Sequence, residues 1–349
     1  MSRQDNLPAA VPLMKITRGS IVESLHRGFI AAVDAEGQTI ARLGDIETPT
    51  WYRSAAKPFQ TIPIIASGAA AHWNLTPKEL AVIAASHNGE DIHLETVNSI
   101  LNKIGLGEED LLCGAHAPFD ETAATQLRIE GQAPNQRHNN CSGKHSGMLA
   151  FAKFLSQPTT NYISPSHPIQ QQILKVVAEF AEVSTDAVAI AIDGCSAPVF
   201  GVSILAMARS YARLVGARHT NVESTWVAAA EQVVDAMTEF PEMVGGSCGR
   251  LDTDLMRATN GQIVSKVGAE GVQLLGVRPC RQYPSGLGIA IKIEDGDTRR
   301  ARDPVVIETL RQLGVLSDDQ IAALSAYTSK AVFNHRQIQV GEIRACFKL

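Results

Sequence analysis

The sequence contains a single Ser-x-x-Lys pair, Ser54 and Lys57, within the segment Arg53-Ser54-Ala55-Ala56-Lys57-Pro58. Residues three apart share one face of a helix, so this spacing places the lysine amine beside the serine hydroxyl. A serine becomes a good nucleophile when a neighbouring base removes its proton. A lysine can be that base when burial and a second cation lower its pKa. The pair therefore predicts covalent catalysis by a serine.

Two further segments extend this pattern, because serine-lysine hydrolases also use a Ser-x-Asn and a Lys-x-Gly in the same chain order. Ser86-His87-Asn88 follows an apolar run, and Lys266-Val267-Gly268 ends a predicted strand. We expect Ser86 to relay the proton from Ser54 to a neutral Lys57, with Lys266 as the second cation. Each residue also has an ordinary structural interpretation. Ser54 can be a helix cap, Ser86 a turn residue and Lys266 a solvated strand end. The residues alone do not decide whether Ser54 or Ser86 is the nucleophile.

Two cysteines lie on polar, glycine-containing segments, Cys141-Ser142-Gly143-Lys144-His145 and Asp193-Gly194-Cys195. Such a pair can form half of a zinc site, with His145 or Asp193 as further ligands. The spacing Cys-x-x-Lys-His is not a standard zinc motif, however, and buried free cysteines are common in protein cores. From spacing alone, a metal site and a pair of core thiols both remain open.

The elements that must position these residues are predicted from hydrophobic periodicity and turn signals. Strands are expected at residues 13–17, 21–34, 39–43, 261–266, 271–277, 287–293 and 337–343, and a buried run at 188–192. Helices are expected at residues 54–65, 94–104, 168–180, 199–215, 222–240 and 305–313, and a further helix begins at the capping box Thr76-Pro77-Lys78-Glu79.

Strands at both ends of the chain around a helical middle indicate an α+β fold, an α/β sandwich. One antiparallel sheet is built from the N- and C-terminal segments and flanked by helices. Residues 1–75 and 190–349 are assigned to this sheet-containing domain, and residues 76–189 to a helix-rich inserted domain.

Composition limits the possible functions. The 349 residues include 31 Lys+Arg and 36 Asp+Glu, a net charge of -5, with 45% hydrophobic residues. This is ordinary globular composition, and it favours neither nucleic-acid nor anionic-membrane binding. No apolar stretch is long enough to span a bilayer, and the six cysteines are too dispersed for a secreted disulfide framework. We expect a cytoplasmic protein with a small-molecule partner.

Taken together in chain order, the segments resemble the rhizobial-type L-asparaginases, also called class 3 or the asparaginase II family. The blocks that carry the resemblance are those around Ser54, Ser86, Cys141, Cys195 and Lys266, together with Pro241-Glu242-Met243-Val244 and Leu255-Met256-Arg257-Ala258. The resemblance implies a homodimer that hydrolyses the side-chain amide of L-asparagine to L-aspartate and ammonia. It also implies a fold similar to serine β-lactamases and serine-dependent glutaminases.

The resemblance assigns roles residue by residue. The catalytic groups of the family fall on Ser54, Lys57, Ser86 and Lys266, and its Zn²⁺ ligands fall on Cys141, Cys195 and a neutral Lys144. Around the substrate we expect Arg53, His87, Asn139, His145, Asp193 and Gly268, with Arg53 facing the carboxylate and Asp193 the ammonium. Two alternatives remain: an L-glutaminase or broader amidase, and a non-catalytic zinc-dependent amino-acid-binding protein.

Overall fold

The described strands form two antiparallel sheets. The computed structural model describes residues 9–349. In chain order the strands are β1 (Val11–Arg18), β2 (Ile21–Asp34), β3 (Thr39–Leu43), β4 (Pro49–Trp51), β5 (Ala189–Ile192), β6 (Pro198–Ser203), β7 (Ile263–Gly268), β8 (Val272–Val277), β9 (Leu287–Ile293), β10 (Lys330–Phe333) and β11 (Gln339–Ala345).

The larger sheet has the order β10-β11-β1-β2-β9-β8-β7, and β3 pairs with the second half of β2. Its central strand β2 pairs with β1 and β3, and it also pairs with β9, which places Ile30 opposite Ile291. The smaller sheet has the order β4-β6-β5. The prediction that N- and C-terminal segments build one antiparallel sheet is confirmed.

The helices are, in chain order, α1 (Lys57–Ala66), α2 (Ala69–His72), α3 (Pro77–Ile83), α4 (Asp91–Ile104), α5 (Glu121–Ile129), α6 (Ser142–Phe154), α7 (Pro168–Ala181), α8 (Ile204–Val215), α9 (Ser224–Glu239), α10 (Pro241–Val244), α11 (Leu251–Ala258), α12 (Asp303–Gln312) and α13 (Asp318–Ala323). The predicted capping box is present. Thr76 Oγ1 accepts from the Glu79 N–H, and the Thr76 N–H donates to Glu79.

Both faces of the large sheet are buried. Successive residues of a strand point to opposite faces, and in the second half of β2 both sets are apolar. Ala31 and Val33 of β2 join the core that contains α8, whereas Ile30 and Ala32 join the core on the opposite face that contains α12. Helices therefore cover the sheet on both sides, which confirms the predicted α/β sandwich.

Two local predictions were wrong. Residues 199–215 form the strand β6 followed by helix α8, because Ser203 caps the helix by accepting from the Ala206 N–H. The run at 188–192 was expected to be buried, but β5 ends the small sheet and leaves Ile190 41% and Ile192 77% exposed. Strand β10 was not predicted at all.

Helix α6 approaches α3 closely through glycine. A Cβ atom at Gly143 would lie 2.1 Å from the Val82 carbonyl oxygen, and one at Gly147 would lie 2.6 Å from Ile83 Cγ2. No larger residue fits at such distances without backbone movement. The first turn of α6, which carries the Cys141 and Lys144 region, is thereby held against the end of α3.

We expect Gly143→Ala to lower the free energy of unfolding by about 1–3 kcal/mol, because the added methyl overpacks a backbone contact that cannot yield. Urea denaturation would measure the change. The matched control is Gly194→Ala, where the new Cβ meets nothing within 4 Å. Equal stability of the two variants would contradict the importance of this contact.

The proposed division at residues 75/76 and 189/190 stays a prediction. Side chains from both segments share one core, which contains Phe59 and Tyr211 as well as Ile83 and Phe151. Among residues 9–349, no helix has both the length and the apolar composition needed to cross a membrane.

Candidate active site

Ser54 lies in a 3-10 turn, Arg53–Ala56, that runs directly into α1. Arg53 has a φ of +49°, a left-handed conformation that costs a non-glycine residue roughly 1–2 kcal/mol. The Ala55 N–H already donates to Tyr52 O at 3.1 Å. The Ser54 N–H makes no such backbone bond among residues 9–349, which leaves it available to an oxyanion.

Two buried lysines converge on one serine hydroxyl. Lys57 Nζ lies 3.0 Å and Lys266 Nζ 2.9 Å from Ser86 Oγ. Lys57 also donates to the carbonyl oxygens of Ala85 and Asn140, and Lys266 donates to Val267 O at 3.0 Å. The structure thus brings together Lys57, Ser86 and Lys266, whereas the Ser54 hydroxyl takes part in no side-chain hydrogen bond within the described range.

Burial disfavours the charged form of both lysines. It lowers the pKa of Lys57, with a further contribution from the Lys144 ammonium against an opposing effect of Cys141. Burial lowers the pKa of Lys266 more strongly, and Lys57 and Arg250 add to the effect. Two ammonium groups within about 3 Å of one oxygen repel each other, so one amine is neutral and can act as a base.

The carboxylate of Asp252 lies beneath strand β7 and holds the residues on either side of Lys266. It accepts from Ser265 Oγ at 2.7 Å, from Gln273 Nε2 at 2.8 Å and from the Val267 N–H at 2.9 Å. Although burial opposes ionisation, Lys266 and these hydrogen bonds hold the pKa of Asp252 below its usual value. Its negative charge favours the charged form of Lys266, although burial remains the larger influence on the pKa of that lysine.

Arg250 fixes the segment that carries Ser86. Its Nη2 donates to Ser86 O at 3.0 Å, and its Nη1 donates to Asn88 Oδ1. Sequence reasoning missed both Arg250 and Asp252, because charged residues at the start of an amphipathic helix look like an ordinary solvated first turn.

A small cavity of about 270 Å³ opens beside Ser54. It is lined by Arg53, Ser54, His116, Phe119, Asn139, Asn140, Cys141, Asp193, Gly194, Cys195 and Ala269. Arg53 Nε donates to Asp193 Oδ1 at 2.8 Å, so one positive and one negative side chain meet in the wall. Opposite charges at this separation match the carboxylate and ammonium groups of a free amino acid.

The two predicted cysteines meet at this cavity. Cys141, Cys195 and Lys144 are all at most 5% exposed, and Lys144 Nζ donates to Cys195 Sγ at 2.9 Å. The mutual influence of the two cysteines lowers the pKa of Cys195 and raises the pKa of Cys141 well above its usual value. Although burial alone would lower it, the Cys195 charge raises the pKa of Lys144.

The two cysteine sulfurs are donors that a zinc ion prefers. Among residues 9–349, no three His, Cys, Asp or Glu side chains are arranged to hold a metal ion. A zinc ion bound by Cys141 and Cys195 would need a further donor, and the neighbouring Lys144 amine can supply one only after losing a proton. His145 Nδ1 hydrogen-bonds Tyr162 Oη at 2.7 Å, and its buried Nε2 has no hydrogen-bond partner in the described structure. The donor set thus fits zinc.

Three of the expected substrate contacts lie behind the cavity wall. His87 is fully buried, with Nε2 bonded to Ser142 Oγ at 2.9 Å. His145 also does not line the cavity, and Gly268 packs against Tyr52, where a Cβ would lie 2.6 Å from the carbonyl oxygen.

Asn139 does line the cavity, but its amide is already engaged. It donates to Cys113 O and Gly114 O, and its Oδ1 accepts from the Cys141 N–H. Among the residues that sequence reasoning missed, His116, Phe119 and Ala269 lie in the wall. His116 and Phe119 belong to no motif with recognisable spacing, whereas Ala269 directly follows the motif Lys266-Val267-Gly268.

The chain belongs to the L-asparaginase II family, whose model matches residues 14–345. No curated protein shows detectable sequence similarity to it.

Solved structures with similar folds share little sequence with this chain. A structure described as Mglu in its tris and glutamate form is 14% identical, with a TM-score of 0.45, and the match covers 83% of this chain and 59% of the other. A probable glutaminase from Bacillus subtilis complexed with 6-diazo-5-oxo-L-norleucine is 14% identical, with a TM-score of 0.36 and 78% coverage of both chains. The chain spans less than two thirds of the first of these. The fold assignment rests on the sheet topology and the family match.

Proposed function

We propose that the protein is an L-asparaginase that hydrolyses the side-chain amide of L-asparagine to L-aspartate and ammonia, with Ser54 as nucleophile. The observation that carries the proposal is the position of Ser54, which lines a small charged cavity one helical turn before Lys57. That lysine shares the Ser86 hydroxyl with Lys266, so a base lies close to an accessible serine.

Access distinguishes the two serines. Ser54 lies in the cavity wall, whereas Ser86 is 2% exposed and lies between two amines outside the set of lining residues. A nucleophile must touch its substrate, so Ser54 attacks and Ser86 relays the proton.

The reaction proceeds through an ester of Ser54. Ser54 Oγ attacks the amide carbon, and its proton passes through Ser86 to the neutral Lys57. The C–N bond then breaks, and Lys57 returns the proton to the departing ammonia. Water next attacks the ester carbon and gives a proton to the same relay. The bond from that carbon to Ser54 Oγ then breaks, the relay returns the proton to Ser54 Oγ, and L-aspartate leaves. Lys266 and Asp252 keep the Ser86 hydroxyl oriented throughout.

The α-groups of the substrate bind at the Arg53–Asp193 pair. The free carboxylate lies at Arg53 and the ammonium at Asp193, which places the side-chain amide toward Ser54. The left-handed backbone at Arg53 directs this side chain into the wall, and its strain is of the kind found at ligand sites.

Cys141, Cys195 and Lys144 would hold a zinc ion beside this pocket. When bound, the ion would supply a fixed positive charge that orients the α-groups of the substrate. To ligate it, Cys141 and Lys144 must lose their protons. The sequence-based predictions of a homodimer and of a cytoplasmic location remain predictions.

Replacing Cys195 with Ser is expected to weaken zinc binding by at least about 10-fold, because a hydroxyl is a much poorer ligand for zinc than a thiolate. Competition with a chromogenic chelator would measure the affinity. Cys248→Ser provides the control, since this cysteine is exposed and lies outside the site. Equal affinity in both variants would exclude Cys195 as a ligand.

The proposed function is tested by following ammonia release from L-asparagine, L-glutamine and a β-lactam, with protein purified without chelator. Rapid release from asparagine supports the proposal. A preference for glutamine would indicate a glutaminase, because one methylene changes a pocket's preference by only about 1–3 kcal/mol. Bound zinc without turnover of any substrate would indicate an amino-acid-binding protein instead.

A further inference from the structure

The cavity beside Ser54 has an aromatic rim that no catalytic role explains. The rim belongs to an irregular segment, residues 111–120, that precedes α5. The segment is fastened at both ends: Asn139 Nδ2 donates to Cys113 O at 2.9 Å, and the Asp120 N–H donates to Asn88 O at 3.1 Å. It is therefore a fixed part of the site.

Within this segment, the rings of His116 and Phe119 stack, with centroids 4.9 Å apart and an angle of 19° between the planes. Both side chains line the cavity. Phe119 is nevertheless 55% exposed, although large apolar side chains are usually covered. An exposed phenyl ring at the mouth of a polar cavity gains contact area when a ligand enters.

His116 ties this aromatic rim to the catalytic groups. Its Nε2 accepts from the Asn140 N–H at 2.9 Å, so Nδ1 carries the proton and donates to Ala117 O at 2.7 Å. Both ring nitrogens are engaged, and the ring cannot turn without breaking these bonds. Asn140 in turn offers its carbonyl oxygen to Lys57 at 3.4 Å. The stacked pair therefore has a fixed position relative to the base.

We propose that the His116–Phe119 pair is the specificity-determining wall of this site and restricts it to amino-acid amides with a short side chain. The inference rests on the proposed function and specifies its substrate class. With about 270 Å³, the cavity lies below the roughly 300–1,000 Å³ typical of pockets for larger ligands. The Arg53–Asp193 pair fixes the α-groups at one end and Ser54 fixes the amide carbon. The apolar wall then limits the length of the chain between them.

Removing the phenyl ring takes away its contact with the substrate methylene and opens space for a longer side chain. One methylene in a fitted apolar site is worth roughly 10–200-fold in selectivity. We expect Phe119→Ala to lower the ratio of kcat/KM for L-asparagine over L-glutamine by about 10-fold or more, mainly through a higher KM for asparagine.

The test compares Phe119→Ala and the conservative Phe119→Leu with Phe333→Ala. Phe333 is a matched control, because this phenylalanine on β10 is 54% exposed and lies outside the site. We expect Phe119→Leu to keep most of the selectivity and Phe333→Ala to keep all of it. An unchanged asparagine-to-glutamine ratio in Phe119→Ala, in an enzyme that turns over asparagine, would overturn the proposal.

A binding measurement separates this proposal from the proposed function. Calorimetric titration with L-aspartate and with L-glutamate reports the selectivity of the pocket without turnover. If the wild-type protein releases no ammonia from any amide, the proposed function fails. The proposed role of the His116–Phe119 pair is still supported if Phe119→Ala lowers the binding preference for aspartate over glutamate by about 10-fold. It is rejected if that preference stays the same.

Discussion

Replacing Ser54 with Ala is expected to lower kcat on L-asparagine by about 10⁴-fold or more, because loss of a nucleophile removes the covalent route altogether. L-Aspartate binding should change little, since the Arg53–Asp193 pair that receives the α-groups is untouched. Steady-state ammonia release and calorimetric titration measure the two quantities.

Ser86→Ala serves as the comparison. It removes the relay between Lys57 and Lys266 but leaves an accessible nucleophile, so an acyl-enzyme should still form slowly. Mass spectrometry of acid-quenched samples detects the ester. A covalent adduct that persists in Ser54→Ala and disappears in Ser86→Ala would reverse the roles of the two serines.

Replacing Lys57 with Met is expected to lower kcat by about 10²–10⁴-fold, the usual contribution of a general base. The same change should raise stability, because it removes a fully buried amine whose charged form is disfavoured. Loss of activity together with a gain in stability is typical of a catalytic group and not of a structural one. Lys153→Met, outside the site, is the control and should keep full activity. An inactive Lys57→Met that is also destabilised would point to a structural role.

The pH dependence follows from the same lysine. Because its pKa in the folded protein lies below the usual 10.5, the unfolded chain holds more protons between these two values. The free energy of unfolding therefore rises with pH across this window, and Lys57→Met should flatten the rise. Since catalysis needs the neutral amine, kcat/KM of the wild-type enzyme should also rise with pH through the lowered pKa. Thermal or urea denaturation across this pH range would measure the first effect.

Local features of the site could be predicted from sequence, but its long-range partners could not. The Ser54 and Lys57 spacing, the Thr76 cap and the strand that carries Lys266 depend on a few adjacent residues. No local sequence pattern indicates the role of Asp252, because that role comes from contacts with Ser265, Val267 and Gln273 on other elements.

The missed strand β6 has a different cause. Its apolar residues are followed directly by those of α8. The strand and helix periodicities can be separated only by recognising Ser203 as a helix cap. Likewise, the sequence of β5 does not show that it lies at a sheet edge, where Ile192 faces solvent. Burial depends on which strands become neighbours, and this information is distributed over the whole chain.

The pairing of β2 with β9 also has a consequence for biosynthesis. Ile30 and Ile291 face each other across the sheet, about 260 residues apart along the chain. At about 5–20 residues per second, a ribosome needs roughly 13–50 s to cover that distance. During this time β2 can pair with β1 and β3, but the edge that later pairs with β9 stays unpaired. The strand itself is rich in alanine, isoleucine and valine. An unpaired strand edge can pair with another chain, so the nascent chain is exposed to misassembly until synthesis reaches β9.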